Sequence, residues 1–358
     1  MNKIGILGAA GDVGRYALEY LNSTGRFQIE AVSRNINKAR KDLFFNGMIN
    51  VSFTEADIID NAFLEEFVCR NDVVLNMVSG AVRKGSEIAD ICAVNNRPFV
   101  DAGTGDHFKN VSGKGFYTAG ALPGLSVPLA FYAARNFSKV TNYRHITSMS
   151  GVFSFGAAYD YLEGVTSSTA KSGMVKQLKG VNVPFIGEED LTEYSDSETA
   201  FLKKNLCADG ESFVSFGGAE TGSILKQAAV TFSTDKTGSA NRLVELSRLH
   251  HIKANDHFMF LIEISGISEE KEKTSTLVLR TESSQSLTGL VSGICTEMAA
   301  DETDLSGLIS FSEFSRTPFF NRYMPDIVKK ISGNKRTVMF DEYDMSIDEL
   351  NEESYGEI

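Results

Sequence analysis

The chain has few cysteines and few basic residues. Of its 358 residues only four are cysteine, Cys69, Cys92, Cys207 and Cys295, and they stand far apart. No C-x-x-C pair and no Cys/His cluster occurs, so neither a zinc site nor a disulfide framework is expected. Reduced thiols in a cytoplasmic protein are the simplest account. Thirty-five Lys and Arg against 47 Asp and Glu leave a net charge of −12. That balance argues against nucleic acid as a main partner. The uncharged run from Phe116 to Ala134 contains Pro123, Pro128, Gly120 and Gly124, which excludes a simple membrane-spanning helix. The first residues carry only a brief apolar stretch, which predicts a strand and not a signal peptide. No internal repeat is visible.

Two enzyme types are weakened by further absences. Short-chain dehydrogenases need a Tyr-x-x-x-Lys pair, in which the lysine lowers the tyrosine pKa, and no tyrosine here has a lysine four residues on. Semialdehyde dehydrogenases need an activated cysteine. Here Cys69 and Cys92 fall inside predicted helices, and Cys207 and Cys295 have no histidine near in sequence.

What is present begins with Gly8-Ala9-Ala10-Gly11-Asp12-Val13-Gly14. The spacing G-x-x-G-x-x-G, after a short apolar run and before a helical pattern, suits a dinucleotide pyrophosphate. The first glycine permits the turn, the second lets backbone approach phosphate, and the third lets helix pack on strand. Gly8, Ala10, Gly11, Asp12, Val13 and Gly14 are therefore candidate cofactor-binding residues. The second predicted strand ends Val32-Ser33-Arg34-Asn35. NAD binders place an acid there for the ribose hydroxyls, whereas NADP binders use a cation for the 2′-phosphate. Ser33 and Arg34, with Lys38 and Arg40 nearby, favour NADP over NAD. Glu30 lies too early to be the ribose acid unless the register shifts. Asp57, after the third strand, Val78, Ser79 and Gly80, at the end of the fourth, and Gly103 and Thr104, after the fifth, complete the expected cofactor set.

The first third alternates strand and helix: strands at Asn2–Leu7, Gln28–Ser33, Val51–Phe53, Asp72–Val78, Pro98–Asp101 and Gly115–Tyr117, with helices between them. This order predicts an α/β fold, a doubly wound parallel sheet of Rossmann type. The pattern then changes to an α+β region with a mainly antiparallel sheet. In it, Arg144–Met149, Ala228–Phe232, Phe258–Ile264 and Thr276–Arg280 read as strands, and Leu125–Asn136, Ser167–Leu178 and Ser284–Ala300 as helices. Residues 187–212 read as loop. The expected division is 1–122 for the nucleotide domain, to which about 305–340 return, and 123–304 for a substrate and dimerisation domain. Residues 341–358 hold eight acids and no Lys or Arg, which predicts a mobile acidic tail.

The chain resembles the saccharopine dehydrogenase (saccharopine reductase-like) family. The carrying residues are GILGAAGDVGRYALEYL at 5–21, VSRN at 32–35, DVVLNMVSGAVRKGSEIADICAVNNRPFVDAGTG at 72–105 and AGALPGLSVPLA at 119–130. Weaker echoes lie at 164–178 and 284–300. The resemblance implies a Rossmann domain that binds NADP(H) or NAD(H) and a second domain with an antiparallel sheet. It also implies hydride transfer to a C–N double bond, or reduction of lipid or secondary-metabolite intermediates. The leading expectation is an NADP(H)-dependent reductase of an imine, enamine or activated alkene of a small or carrier-bound metabolite. One departure is Val78-Ser79-Gly80-Ala81-Val82, where the family has a Val-Gly-Pro-Tyr-like turn.

Hydride transfer needs placement and electrostatics more than side-chain chemistry. A protonated imine is already electrophilic, whereas a carbonyl needs a proton donor. Candidates at strand ends are Asn76, Ser79, Asp101, Thr104 and His107, and from the second domain Tyr159, Asp160, Tyr161 and Lys171. Of these His107, Asp101 and Tyr159 are the named catalytic candidates. Asp101 equally suits holding the Gly103-Thr104-Gly105 turn, and Tyr159 suits packing. His250, His251 and His257 have no ligand-like companions in sequence, and no metal is expected. Two other functions remain open: a non-catalytic NADP-binding redox sensor or scaffold, and an NADP-dependent carbonyl dehydrogenase. A homodimer is possible.

Overall fold

The computed structural model describes residues 1–78, 82–103, 106–159, 162, 176–216, 228, 230–251 and 256–356. The chain divides into two compact units, Met1–Leu125 with Gln285–Ile331, and Ser126–Ser284 with Ser332–Ile358.

The first unit is built on β1 (Lys3–Leu7), β2 (Gln28–Ser33), β3 (Val51–Glu55), β4 (Val73–Asn76), β5 (Phe99–Asp101), β6 (Gly115–Tyr117) and β13 (Leu308–Ser310). Their order is β13-β6-β5-β4-β1-β2-β3, and every pairing is parallel. The short apolar runs are buried on both faces, as a covered parallel sheet requires: Ile4, Ile6, Val74 and Leu75 have no exposure. Helices α1 (Gly14–Ser23), α2 (Ile36–Lys41), α3 (Asn61–Arg70) and α4 (Val82–Val94) connect the first five strands. Leu64, Phe67, Val68, Ile88 and Cys92 share one core with Leu7, Val32 and Val74. A fully buried side chain of this size contributes roughly 1.5–3 kcal/mol. The expected α/β parallel sheet is therefore present.

One buried charge is fixed in this unit. Glu30, mid-strand in β2, accepts from Arg70 Nη2 at 2.7 Å and Thr54 Oγ1 at 3.0 Å, and pairs with Lys3 Nζ at 3.1 Å. Burial alone would raise its carboxyl, but these partners outweigh burial and hold it at about 2.

The second unit carries β7 (Lys139–Ser150), β8 (Gln177–Val183), β9 (Gly187–Glu193), β10 (Glu211–Ser215), β11 (His257–Ser268), β12 (Lys271–Thr281) and β14 (Thr337–Tyr343). The order is β14-β12-β11-β7-β10-β9-β8. β10 and β7 are parallel and the other pairings antiparallel, so the expected mainly antiparallel sheet is present. Helices α5 (Ser126–Ala133), α6 (Ser197–Asn205) and α7 (Lys236–His251) belong to this unit.

Several sequence expectations are corrected. Residues 187–212 are not loop. They form β9, α6 and the start of β10, and α6 opens with a capping box between Asp196 and Thr199. Ala228 and 230–232 are helical and not a strand. Most of the Ser167–Leu178 helix lies outside the described residues, and its end, Gln177 and Leu178, belongs to β8. The late helix α8 (Ser284–Asp301), expected in the second domain, packs in the first unit; α9 (Phe320–Ser332) follows it.

The acidic terminus is not a free tail. β14 pairs along β12, with Leu279 beside Phe340. Helix α10 (Ile347–Gly356) buries Ile347 and Leu350 in one core with Leu261 and Val278. The acids have partners: Glu342 with Arg135 at 2.8 Å, Asp344 with Lys273 at 2.9 Å, and Asp348 with Arg144 at 3.1 Å. Reading charge alone missed the apolar positions between the acids.

Candidate functional site

The glycine turn lies at the carboxyl end of β1, where open α/β sheets bind ligands. Gly8 has φ +77°, a left-handed conformation that favours glycine. It also lies tight against the end of β4. An added Cβ would come within 3.0 Å of Met77 O and of Val78 Cγ2. A Cβ at Gly14 would overlap the Gly8 carbonyl, and one at Gly11 would reach the same oxygen at 3.1 Å. The turn is tied to β2 through the Gly8 and Ala9 amides, both donating to Val32 O at 3.1 Å. Gly11 N closes it onto Gly8 O at 3.0 Å.

The start of α1 is open to an anion. Its N-cap residue is Val13, whose side chain accepts no hydrogen bond. Among the described residues the amides of Ala10, Asp12 and Val13 have no backbone acceptor. Unsatisfied donors at a helix start, with the helix dipole behind them, attract phosphate. The turn therefore fits the pyrophosphate of a dinucleotide.

Ser33 and Arg34 stand at the end of β2, beside this turn. Ser33 Oγ accepts from Asn35 N at 3.3 Å. Arg34 is exposed and, among the described residues, has no ion pair. The side chains of Lys38 and Arg40 lie outside the described set. Glu30 is committed to Arg70, Lys3 and Thr54, so no register shift makes it the ribose acid. Glu55, paired with Ser33 across β2 and β3, caps α2 by accepting from Ile36 N at 3.0 Å. Sequence reasoning overlooked a second cation on the first turn of α1. Arg15 pairs with Asp42 at 2.8 Å, and its guanidinium stands 5.0 Å above the Phe44 ring.

The remaining strand ends converge on this edge. Asp57 Oδ1 holds its own turn by accepting from Ile59 N at 3.2 Å. Val78 N donates to Asn76 Oδ1 at 3.3 Å. Asn76 Nδ2 donates to Asp101 Oδ2 at 2.7 Å, and Gly103 N donates to Asp101 Oδ1 at 2.6 Å. Gly103 O then accepts from Thr118 N at 3.0 Å. Ser79, Gly80, Thr104, Asp160, Tyr161 and Lys171 lie outside the described residues.

Of the catalytic candidates, Asp101 is buried with both oxygens engaged, as a loop-holding residue would be. His107 sits half-buried in a 3-10 turn over Asp106–Asn110, its ring 4.2 Å from that of Phe108. Tyr159 belongs to the second unit. There it packs with Phe232, ring centroids 5.2 Å apart, beside Ala158 and Leu243.

Three buried polar features of the second sheet were not foreseen. His257, the first residue of β11, has its Nε2 2.9 Å from Ser148 Oγ, a hydroxyl partner and not a metal-ligand set. Beside Ser148 in register, Ser215 donates to the buried Glu189 carboxylate. On β7, His145 is buried, and burial pushes its pKa down to about 4. The two pairings join different strands, 109 and 26 residues apart in sequence, which no local pattern reveals. Among the described residues no cluster of three or more His, Cys, Asp or Glu is arranged to hold a metal, and no helix is long and apolar enough to cross a membrane.

No family model matches the chain, and no curated protein sequence matches it. Solved structures do. The apo saccharopine dehydrogenase (L-Glu forming) of Saccharomyces cerevisiae superimposes with a TM-score of 0.67 at 12% identity, over 97% of this chain and 100% of that one. An engineered D-amino acid dehydrogenase matches at TM-score 0.46 and 12% identity, over 89% and 96% of the two chains. The C. glutamicum DAP dehydrogenase in complex with DAP matches at 0.44 and 11%, over 88% and 96%. The last two scores are too low to carry an argument. The first shows that this chain shares the fold of saccharopine dehydrogenase along nearly its whole length.

Proposed function

We propose that the chain is an NADP(H)-dependent oxidoreductase that transfers hydride to an imine, enamine or activated alkene of a small or carrier-bound metabolite. The observation that carries this reading is the glycine turn. It presents the Ala10, Asp12 and Val13 amides at an uncapped helix start, in a bend that side chains at Gly8 and Gly14 would block. The fold shared with saccharopine dehydrogenase supports it.

A bound nicotinamide would supply the hydride. The chain's own part is to bind and place. The turn amides would neutralise the pyrophosphate, and Arg34 with Ser33 would take the 2′-phosphate. The Asn76–Asp101–Gly103 linkage fixes the ends of β4 and β5, which border the turn through Val78. A protonated imine needs no further acid. A carbonyl substrate would need one, and His107 is then the donor.

A second reading has its own support: a non-catalytic NADP-binding sensor. Asp101 is spent on loop structure and Tyr159 on packing, so two of the three acid–base candidates have structural roles. Loss of NADPH absorbance at 340 nm tests both readings, with the purified chain and amine–oxoacid mixtures as imine sources. Substrate-dependent oxidation supports the reductase. Tight NADPH binding with no turnover across imines, enamines and carbonyls supports the sensor.

A further inference from the structure

Helix α8 crosses the first turn of α1 at a glycine. An added Cβ at Gly289 would stand 2.6 Å from the Val13 carbonyl oxygen, 2.6 Å from Tyr16 Cβ and 2.9 Å from Ala17 N. Two of these three are backbone atoms, so no rotamer change relieves the contact. Either α8 or the glycine turn must move.

The two sides differ in how firmly they are held. α8 is buried from Ser286 onward on nearly every face. Ser292 Oγ donates to Ala119 O at 2.6 Å, and Thr288 Oγ1 accepts from Ala121 N at 3.3 Å. Further along, Glu297 pairs with Lys330 of α9 at 2.9 Å, and it also ties α8 to the far end of α1 through Tyr20 and Arg26. The turn is held to β2 through Gly8 and Ala9 and at Arg15 by Asp42, but its outer side is open. Gly11 and Asp12 are exposed, and Val13 caps nothing with its side chain. A methyl group at 289 would therefore displace the turn, and with it the Asp12 and Val13 amides.

We infer that Gly289 is a positioning residue of the dinucleotide site: its missing side chain lets α8 set where the start of α1 meets the pyrophosphate. This rests on reading the turn as that site. Hydrogen bonds weaken steeply with angle, so a small rotation of the amides costs affinity without removing any ligand-touching group.

Gly293 supplies the control. It lies one turn further along the same helix, where an added Cβ would meet Tyr20 Cδ1 at 2.7 Å and Ala17 O at 3.4 Å. The closest neighbour there is a side-chain ring, away from the glycine turn.

The test is a fluorescence titration of the purified full chain with NADPH, alongside thermal unfolding, for wild type, Gly289→Ala, Gly293→Ala and Ser292→Ala. The expected result is a Kd raised about tenfold in Gly289→Ala, equivalent to losing one ordinary hydrogen bond. Gly293→Ala should keep the wild-type Kd although it also lowers Tm. Ser292→Ala, which loosens α8 without a clash, should raise Kd a few-fold and decides the matter if Gly289→Ala does not fold. A folded Gly289→Ala with wild-type Kd overturns the inference. So does an equal loss in Gly293→Ala, and so does an unchanged Kd in Ser292→Ala when Gly289→Ala is unfolded. Failure of the wild type itself to bind NADPH overturns the dinucleotide reading, and the inference with it.

Discussion

The side-chain amide of Asn76 donates to Asp101 at 2.7 Å, joining the carboxyl ends of β4 and β5. Asp101 also accepts from Gly103 N at 2.6 Å. With both oxygens engaged, its first role is to shape the loop. Asp101→Asn would set one NH2 against another at Asn76. The predicted loss is about 1–3 kcal/mol of stability, the cost of leaving buried polar groups unpaired. It would appear as a Tm lower by several degrees, with turnover per folded molecule kept within a few-fold. Turnover abolished at unchanged Tm would make Asp101 catalytic instead.

On the proposed reading, Arg34 selects the nucleotide. Removing one charge-assisted contact to a 2′-phosphate costs roughly 1.5–3 kcal/mol. Arg34→Ala should therefore raise the KM for NADPH by about 10–100-fold and leave the KM for NADH nearly unchanged. Steady-state kinetics with both nucleotides checks this. An unchanged NADPH KM removes the assignment.

Acid should unfold the chain in two stages with opposite chemistry. His145, lowered to about 4 by burial, is held neutral in the fold. Its contribution is complete above its ordinary value of 6.5 and is lost as pH falls from there toward 4. Glu30, held at about 2, contributes fully above its ordinary 4.5 and loses that contribution between 4.5 and 2. Each amounts to about 3 kcal/mol at most. Urea unfolding across this range should show the first loss in wild type and not in His145→Leu. Identical pH profiles for the two would contradict it.

The acidic terminus is structural. Leu350 is buried against the second sheet, so Leu350→Ala should destabilise the chain by roughly 2–5 kcal/mol. Denaturant unfolding measures this, and no loss would restore the mobile-tail reading.

The fold was legible where the pattern is local. The glycine spacing, the strand–helix alternation and the buried runs at Ile4–Leu7 and Val73–Asn76 all act within a few residues, and they placed the turn and the parallel sheet correctly. What failed depends on distant partners. Residues 341–358 read as a charged tail because Ile347 and Leu350 have no visible purpose until β12 and β11 lie beneath them. α8 was assigned to the wrong unit because its match to α1 is a steric fit at Gly289 and Gly293, with no local signature. The hydrogen bond between His257 and Ser148 had no trace in the sequence because it forms only through β7–β11 pairing.

The central claim is that the turn at Gly8–Gly14 holds NADP(H). Calorimetric titration of the purified chain with NADPH and, separately, NADH tests it most directly. The account predicts one site per chain, with NADPH bound at least about tenfold more tightly than NADH, a difference of about 1.4 kcal/mol. No heat of binding with either nucleotide would contradict it.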